Sequence, residues 1–319
     1  MAAERRSARN LFTEIPLDRS SEWRYRADRG ELRPTVEGAF AFHVSERGEV
    51  LIEATGALVP ARLDAELSGL GDRVLFLGIS SGRAIFACIC EDAGREALIA
   101  PAQTWMDLRA AAANLAPADA GYAAYARALV HWHARHRYCG ACGHLTRAEA
   151  GGHRRRCSNR ECAIEHFPRL DPAIIVLVEF EGRCLLGRQA SWPPRRYSVL
   201  AGFVEPGESL EDALKREVAE ESGAQVIECD YHSSQPWPFP SSLMLGFTAR
   251  AASADLTYGG ELEHAAWFSP SEMLDAVRAG NLRLPPKVSL SSRLIEDWYE
   301  QRTGESADVL FSRAVSGTA

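Results

Sequence analysis

Four cysteines set a point through which any fold of this chain must pass. Cys139 and Cys142 have two residues between them, and after a gap of fourteen, Cys157 and Cys162 have four between them. Two knuckles at that distance have the layout of a zinc ribbon, in which four thiolates surround one Zn2+. Four sulfurs leave no position for water, so the ion's expected work is structural: it holds two loops that lack a core of their own. A redox Cys-x-x-Cys pair and scattered core thiols are competing readings, and neither accounts for a second pair at ribbon distance. Cys88, Cys90, Cys184 and Cys229 lie in apolar, strand-like runs and read as small buried side chains. His144, His153 and His166 flank the ribbon, but four sulfurs already satisfy the ion, so the histidines read as surface residues.

A second cluster lies in one helix. The stretch from Gly202 to Ala224, GFVEPGESLEDALKREVAEESGA, places a glycine turn ahead of Glu217, Glu220 and Glu221. Residues three and four apart share a helix face, so these carboxylates are forced together and repel unless a cation sits between them. Hard oxygens suit Mg2+ or Mn2+, ions that commonly work beside a phosphate substrate. A glutamate-rich helix is often only a solvated face, but the flanks of this one argue otherwise. Gly202 and Gly207 free the loop to take unusual backbone angles beside a ligand. Ser209 with Asp212 three positions on forms a variant capping box, and Leu210, Ala213, Leu214 and Val218 supply a buried stripe on another side.

With 319 residues, 46% of them hydrophobic and 25% charged, the chain has material for two or three compact units. A net charge of −7 disfavours loose, charge-driven binding to nucleic acid or anionic membrane, so recognition of an anionic substrate has to lean on metal. No apolar run approaches membrane-spanning length. The start, MAAERRSARN, lacks the apolar stretch of a signal peptide, and Glu4, Glu14 and Asp18 weaken a transit-peptide reading. A reducing cytoplasm is the expected setting.

Between about Gly38 and Cys90 the pattern predicts short strands at Glu49 to Ala54, Val74 to Ser80 and Arg83 to Cys90, with no catalytic constellation. A helix is expected over Ala118 to Arg137, with Tyr122, Tyr125, Leu129 and Trp132 or His133 on neighbouring faces. Strands follow at Ala173 to Phe180, Cys184 to Gln189, Ser198 to Val204, Gln225 to Tyr231, Leu243 to Ala251 and Ala265 to Phe268. Helices are expected at Ser271 to Arg278 and Ser289 to Gln301.

Past the acidic helix comes Ser234-Gln235-Pro236-Trp237-Pro238-Phe239-Pro240-Ser241-Ser242. Three prolines remove donors and fix backbone angles, so the segment is expected as a rigid, extended loop presenting Trp237 and Phe239 as planar surfaces, with Gln235 and Ser242 able to hydrogen bond. The alternative is a structural turn with its aromatics in the core.

Gly202, five residues, Glu208, seven residues, then Arg216-Glu217-Val218-Ala219-Glu220-Glu221-Ser222-Gly223 resembles a complete Nudix box. Its soft departure is Ala224, where the family usually has a larger aliphatic residue. The proline-aromatic string is similar to the signature of the NADH pyrophosphatase branch of the Nudix hydrolases, which also carries a four-cysteine ribbon before its catalytic domain. The resemblance covers Tyr138 to Trp298 by motif and the N-terminal part only by length and position.

The resemblance implies an α+β fold: a β-rich Nudix-like N-terminal domain with a linking helix (1–130), a zinc ribbon (131–170) and a catalytic Nudix α/β/α sandwich (171–319), assembled as a homodimer. It implies that catalytic metal is held by Glu217, Glu220 and Glu221, by the carbonyl of Ala201 and by a later glutamate matching Glu261, with Glu263 as a rival. Phe167 and Phe203 fall where the family sandwiches a base, although tyrosine is frequent at the former. Gln235, Pro236, Trp237, Pro238, Phe239, Pro240, Ser241 and Ser242 correspond to the signature, and Ser291 to a small residue lining the nucleotide pocket. A glutamate that the family can place in the ribbon falls at about Gly152, so nothing is carried over there.

The implied activity is metal-dependent hydrolysis of the pyrophosphate bond of NAD(H) to NMN(H) and AMP. Glu221 or Glu220 would take the proton from water, and Arg216 would orient acids such as Glu208. Removal of the NAD cap from RNA 5′ ends belongs to the same family activity, and the sequence does not rank the two. Two other readings stay open: a Nudix hydrolase of ADP-ribose or dinucleoside polyphosphates, and a non-catalytic, zinc-ribbon nucleic-acid-binding protein.

Overall fold

Apolar residues that alternate along the chain become strands here, and those repeating every three to four residues become helices. The computed structural model describes residues 3–28, 38–61 and 73–311. The chain divides into two units. One comprises Phe12–Leu170 with Pro236–Ser241, and the other Met1–Leu11, Asp171–Gln235 and Ser242–Ala319.

The elements up to residue 170 are α1 (Ala3–Ser7), α2 (Ser21–Asp28), β1 (Phe40–Ser45), β2 (Glu49–Glu53), β3 (Val74–Ser80), β4 (Arg83–Cys90), β5 (Gln103–Asp107), α3 (Leu108–Ala111), α4 (Pro117–Arg135), β6 (Thr146–Glu149), β7 (Arg154–Cys157) and β8 (Glu165–His166). β3-β4-β1-β2-β5 form one sheet, in which β1 and β4 run parallel and the other neighbours antiparallel. Phe42, Leu51, Leu75, Phe76 and Leu77 are fully buried in it. Pro117 opens α4 at a position where its missing N–H costs nothing, and Tyr122, Leu129, Val130 and His133 form its buried side. β6, β7 and β8 make the small antiparallel ribbon sheet.

The second unit holds β9 (Asp171–Phe180), β10 (Arg183–Gln189), β11 (Leu200–Phe203), α5 (Leu210–Ser222), β12 (Val226–Trp237), β13 (Ser242–Ala251), β14 (Leu262–Phe268), α6 (Pro270–Arg278), α7 (Leu290–Thr303) and α8 (Asp308–Phe311). Its sheet is ordered β12-β13-β9-β10-β14, with β11 also paired to β9. Alternation on β9 builds the layers. Ile174, Val176 and Val178 pack with Ala213, Leu214 and Val218 of α5, while Ile175 and Leu177 pack with Leu290, Leu294, Ile295 and Trp298 of α7. Each fully buried Leu, Ile or Val contributes ~1.5–3 kcal/mol relative to exposure, so the α5 stripe suffices to fix which face the acids occupy.

Two expectations need correction. β12 does not end at Tyr231 but runs through Trp237, so half of the proline-aromatic string is strand. β12 lies at the edge of its sheet, where Pro236 can sit without robbing a neighbour of a ladder bond. His153 is buried, not at the surface: its Nε2 donates to Phe76 O at 2.7 Å and its Nδ1 meets Tyr125 Oη at 3.3 Å. His166 is half-buried beside Cys139, and only His144 of the three is exposed.

Candidate functional site

α5 starts where the sequence says it should. Ser209 Oγ accepts from Asp212 N at 3.1 Å while Asp212 bonds back to Ser209, closing the capping box, and Gly223 ends the helix with φ +71°. With Ala213, Leu214 and Val218 against the sheet, Arg216, Glu217 and Glu221 are carried toward β11. Arg216 is the hub: its Nε and Nη2 grip the two oxygens of Glu208 at 2.6 and 2.8 Å, Nη1 reaches Glu217 at 2.9 Å and Glu220 at 3.1 Å, and Nη2 also donates to Phe203 O at 2.9 Å. The bidentate grip, helped by the N–H of Glu205, holds the Glu208 carboxyl down to about 2. One guanidinium thus holds the carboxylates of Glu208, Glu217 and Glu220.

Val204 N donates to Pro172 O, so the antiparallel ladder turns Leu200, Gly202 and Val204 toward β9 and leaves the N–H and C=O of Ala201 and Phe203 facing the other way. Arg216 takes the Phe203 carbonyl, and Ala201 hydrogen-bonds to Glu221. In extended backbone the N–H and C=O of one residue point to the same side, so the Ala201 carbonyl shares the edge on which Glu221 lies.

Gly202 is needed for a reason other than the one expected. It takes no left-handed φ; instead a Cβ there would stand 1.8 Å from Glu217 Cδ, so the strand admits the Glu217 carboxylate only because the residue has no side chain. Gly207, at φ +96° with nothing within 4 Å, is the glycine that supplies unusual backbone geometry.

Glu221 is 6% exposed, and its Oε2 has no hydrogen-bond partner. Burial, then Glu217 and Glu261, push its carboxyl up to about 8 against the Ala201 hydrogen bond. A buried oxygen with no partner, under the negative charge of two further carboxylates, suits a divalent cation, whose charge would offset the repulsion. Glu220, by contrast, has an exposed side chain. Glu263 pairs with Arg188 at 2.6 Å, whereas Glu261, in the turn before β14, is the acid that acts on Glu221.

Other predicted residues are dispersed. Phe203 is 58% and Phe167 62% exposed. Ser291 is buried with its hydroxyl on Ser198 Oγ at 2.8 Å. Gln235 is buried too, donating to Leu11 O and Val288 O and accepting from Leu290 N at 2.7 Å, so its amide anchors the start of α7. Ser242 and Pro238 are buried, Trp237, Phe239 and Ser241 half-buried, and Pro236 and Pro240 exposed.

At the ribbon the Sγ atoms of Cys139, Cys142, Cys157 and Cys162 all lie within 4.8 Å of one another, with Cys142 to Cys157 at 3.3 Å and Cys139 to Cys162 at 3.8 Å. Zn–S bonds of ~2.3 Å in a tetrahedron give S···S edges of ~3.8 Å, so the cluster fits Zn2+. Backbone hydrogen bonds from Ala141 and Cys142 pull the Cys139 thiol down to about 6, while burial pushes Cys157 up to about 12. Four thiolates at this spacing need the cation to coexist. The ribbon is tied to α4 by His133, which donates from Nε2 to Gly152 O at 2.8 Å and accepts at Nδ1 from Arg155 at 2.6 Å.

Among known proteins, the NUDIX domain profile matches residues 168–288, and that of the NADH pyrophosphatase-like rudimentary NUDIX domain matches residues 39–132. The NAD-capped RNA hydrolase NUDT12 of Macaca fascicularis is 42% identical over 192 residues, 56% of this chain and 42% of that protein, so the match spans less than half of that relative. The NAD-capped RNA hydrolase NudC of Stutzerimonas stutzeri is 35% identical over 284 residues, 88% of this chain and 96% of that protein. The mitochondrial NAD(P)H pyrophosphatase NUDT13 of Homo sapiens is 38% identical over 218 residues, 64% of this chain and 61% of that protein.

Proposed function

The chain belongs to the Nudix hydrolases, in the branch that joins an NADH pyrophosphatase-like rudimentary NUDIX domain to a NUDIX domain, and from that premise we propose that it hydrolyses the pyrophosphate bond of NAD(H) to NMN(H) and AMP and removes the NAD cap from RNA 5′ ends. The observation that carries this reading is Glu221, buried with one oxygen unpartnered, hydrogen-bonded to the Ala201 backbone and under the electrostatic influence of Glu217 and Glu261. Such an arrangement is costly unless a divalent cation and a phosphate substrate use it.

In this reading Glu217, Glu221, Glu261 and the Ala201 carbonyl hold the ion. When bound, it neutralises charge that builds on the pyrophosphate oxygens and acidifies the attacking water. Glu221 takes the proton from that water as it attacks phosphorus, and NMN(H) and AMP separate. Arg216 keeps Glu208 and Glu217 in place. The choice of substrate is supported by the names of the relatives and by the Gln235 to Ser242 string. We further propose Mg2+ or Mn2+ as the catalytic ion and Zn2+ in the ribbon, on the chemistry of their donors. A homodimer is proposed from the family resemblance. A cytoplasmic setting is proposed because eight free cysteines suit a reducing compartment; among the described residues no helix is long and apolar enough to cross a membrane.

The test is a product assay with Mg2+ or Mn2+ on NADH, NAD+, ADP-ribose and NAD-capped RNA, comparing wild type with Glu221→Gln. NMN(H) and AMP should form from the dinucleotides, with turnover reduced by ~10²–10⁴ in the variant. Turnover of ADP-ribose with none of either nicotinamide dinucleotide would sink the reading.

A further inference from the structure

Charge is unevenly spread along this chain. Residues 131–170 hold eight arginines and three glutamates, whereas the whole chain stands at −7. Four thiolates on one Zn2+ add about −2 and leave the ribbon positive. β7 reads Arg154-Arg155-Arg156 and alternates: Arg155 is buried, with Nη1 on His133 Nδ1 at 2.6 Å, while Arg154 and Arg156 stand on the other face. Register places the rest of that outer face. Arg147 lies opposite Arg156, Glu149 opposite Arg154, and Glu165 of β8 beside Arg156. Two residues before Arg147, Leu145 is bridged to Tyr138.

On this face cations and rings form a line. Glu149 and Glu165 clamp Arg154, at 2.6 and 3.0 Å, and also Arg156, so both guanidiniums are held in place with donors to spare. Arg147 is exposed and has no ion pair among the described residues. An exposed tyrosine closes each end. Tyr25 of α2 is 50% exposed, with the Arg154 guanidinium 5.8 Å from its ring, and Tyr138 is 61% exposed, with Leu145 beside it at 54%. Tyr138 has no ring partner among the described residues, so its faces are open. The row of Glu149 and Arg154 lies four residues from that of Leu145, ~13 Å at strand rise. A merely solvated charged face accounts for the arginines but not for large rings left exposed at both ends of them.

A single nucleic-acid strand offers a row of anions and, beside it, unpaired bases with free π-faces, so guanidiniums set between open aromatic rings match it in both respects. An acidic peptide would match the charges and not the rings. We propose that the outer face of the ribbon, from Tyr25 through Arg154, Arg156 and Arg147 to Tyr138, binds single-stranded RNA, with the arginines on phosphates and the tyrosines stacked on bases. The proposal deepens the reading that NAD-capped RNA is a substrate and rests on it for its purpose: the cap ends a polyanion, and a chain at −7 needs a local cationic surface to hold the rest.

The test uses the full, zinc-loaded chain and a fluorescein-labelled, uncapped single-stranded RNA of about sixteen nucleotides, followed by anisotropy between about 50 and 200 mM salt. Three phosphate contacts on a single strand give a slope of about 2 in log Kd against log salt, and Arg147→Ala should lower it by about 0.7. Tyr138→Ala should weaken binding about five- to a hundredfold, the scale of one lost stacking contact, with the slope kept. Both side chains are exposed, so melting temperature, zinc content and NADH turnover should stay at wild type in both variants. A duplex of the same sequence should bind more weakly, because its bases have no free faces. A flat salt dependence, wild-type affinity in the double variant Tyr138→Ala/Arg147→Ala, or equal affinity for the duplex or for polyglutamate overturns the proposal. If capped RNA is not cleaved while the uncapped strand binds through Arg147 and Tyr138, the function proposed above loses its RNA part and the binding face stands. Cleavage of capped RNA with unchanged binding in the double variant has the reverse meaning.

Discussion

Gly202→Ala is the sharpest perturbation because it adds one methyl group where the strand passes directly against the Glu217 carboxylate. The new Cβ would stand 1.8 Å from Glu217 Cδ and 2.0 and 2.2 Å from its two oxygens, where ordinary contact begins at 3.4 Å. The carboxylate must therefore retreat by about 1.6 Å (3.4 less 1.8) or β11 must lift from α5. Gly202 has no left-handed φ, so alanine meets no backbone strain, and the core under α5 is untouched. A displacement of ~1 Å at a catalytic group costs about 10²-fold, so kcat/KM should fall at least that far, equivalent to ~2.7 kcal/mol of transition-state stabilisation. The melting temperature should change little. Initial rates on NADH with Mn2+, a Mn2+ titration followed by electron paramagnetic resonance, and a thermal melt check this, with weaker Mn2+ binding expected. Gly207→Ala is the contrast: it meets nothing within 4 Å but sits at φ +96°, so it should cost ~1–2 kcal/mol of stability with little change in the chemistry. A folded Gly202→Ala protein with kcat/KM within threefold of wild type would show that Glu217 does not need its present position.

Burial and two neighbouring acids raise the Glu221 carboxyl from its ordinary 4.5 to about 8, so without divalent ion the fold favours the protonated form. That stability is fully present below pH 4.5 and is lost as pH rises through 8, by an amount on the order of 5 kcal/mol at ~1.4 kcal/mol per unit. Metal-free Glu221→Gln should show a flatter stability–pH curve and a higher melting temperature than wild type at pH 8.5, and Mg2+ or Mn2+ should stabilise only the wild type strongly; parallel curves would refute the account. Arg216→Met strands Glu208 and Glu217 without their shared cation, which should lower the urea midpoint and also lower kcat. An unchanged urea midpoint would mean that the hub is decorative. Metal analysis should find about one Zn per chain, by four-thiolate stoichiometry, and Cys157→Ser should lower it; full occupancy in that variant would mean that the ligand set is wrong.

Local patterns were legible because their physics is local. A helix repeat fixes which of Leu210, Ala213, Leu214 and Val218 share a side, and that alone dictates where Glu217 and Glu221 point. Knuckle spacing likewise brings Cys139, Cys142, Cys157 and Cys162 within reach of one ion. Boundaries slipped where context outweighed propensity: β12 continues through Pro236 because an edge strand tolerates it, and His153 is inside because Phe76 O offers it an acceptor.

The sequence by itself determined the donors and their chemistry: four thiols for a soft ion, a tight acidic cluster for a hard one, and a rigid aromatic tract downstream. Only tertiary structure decided among residues with equal local credentials. Glu261 acts on Glu221 while Glu263, two positions on, is taken by Arg188; Gln235 turns inward to anchor α7, and Ser291 to hold Ser198 and Val199 just before β11; and Phe239 meets Arg109 and Arg127 from far upstream. Spacing along a helix or knuckle constrains neighbours within a few residues, but pairing across a sheet or between distant turns depends on which surfaces the core has already brought together.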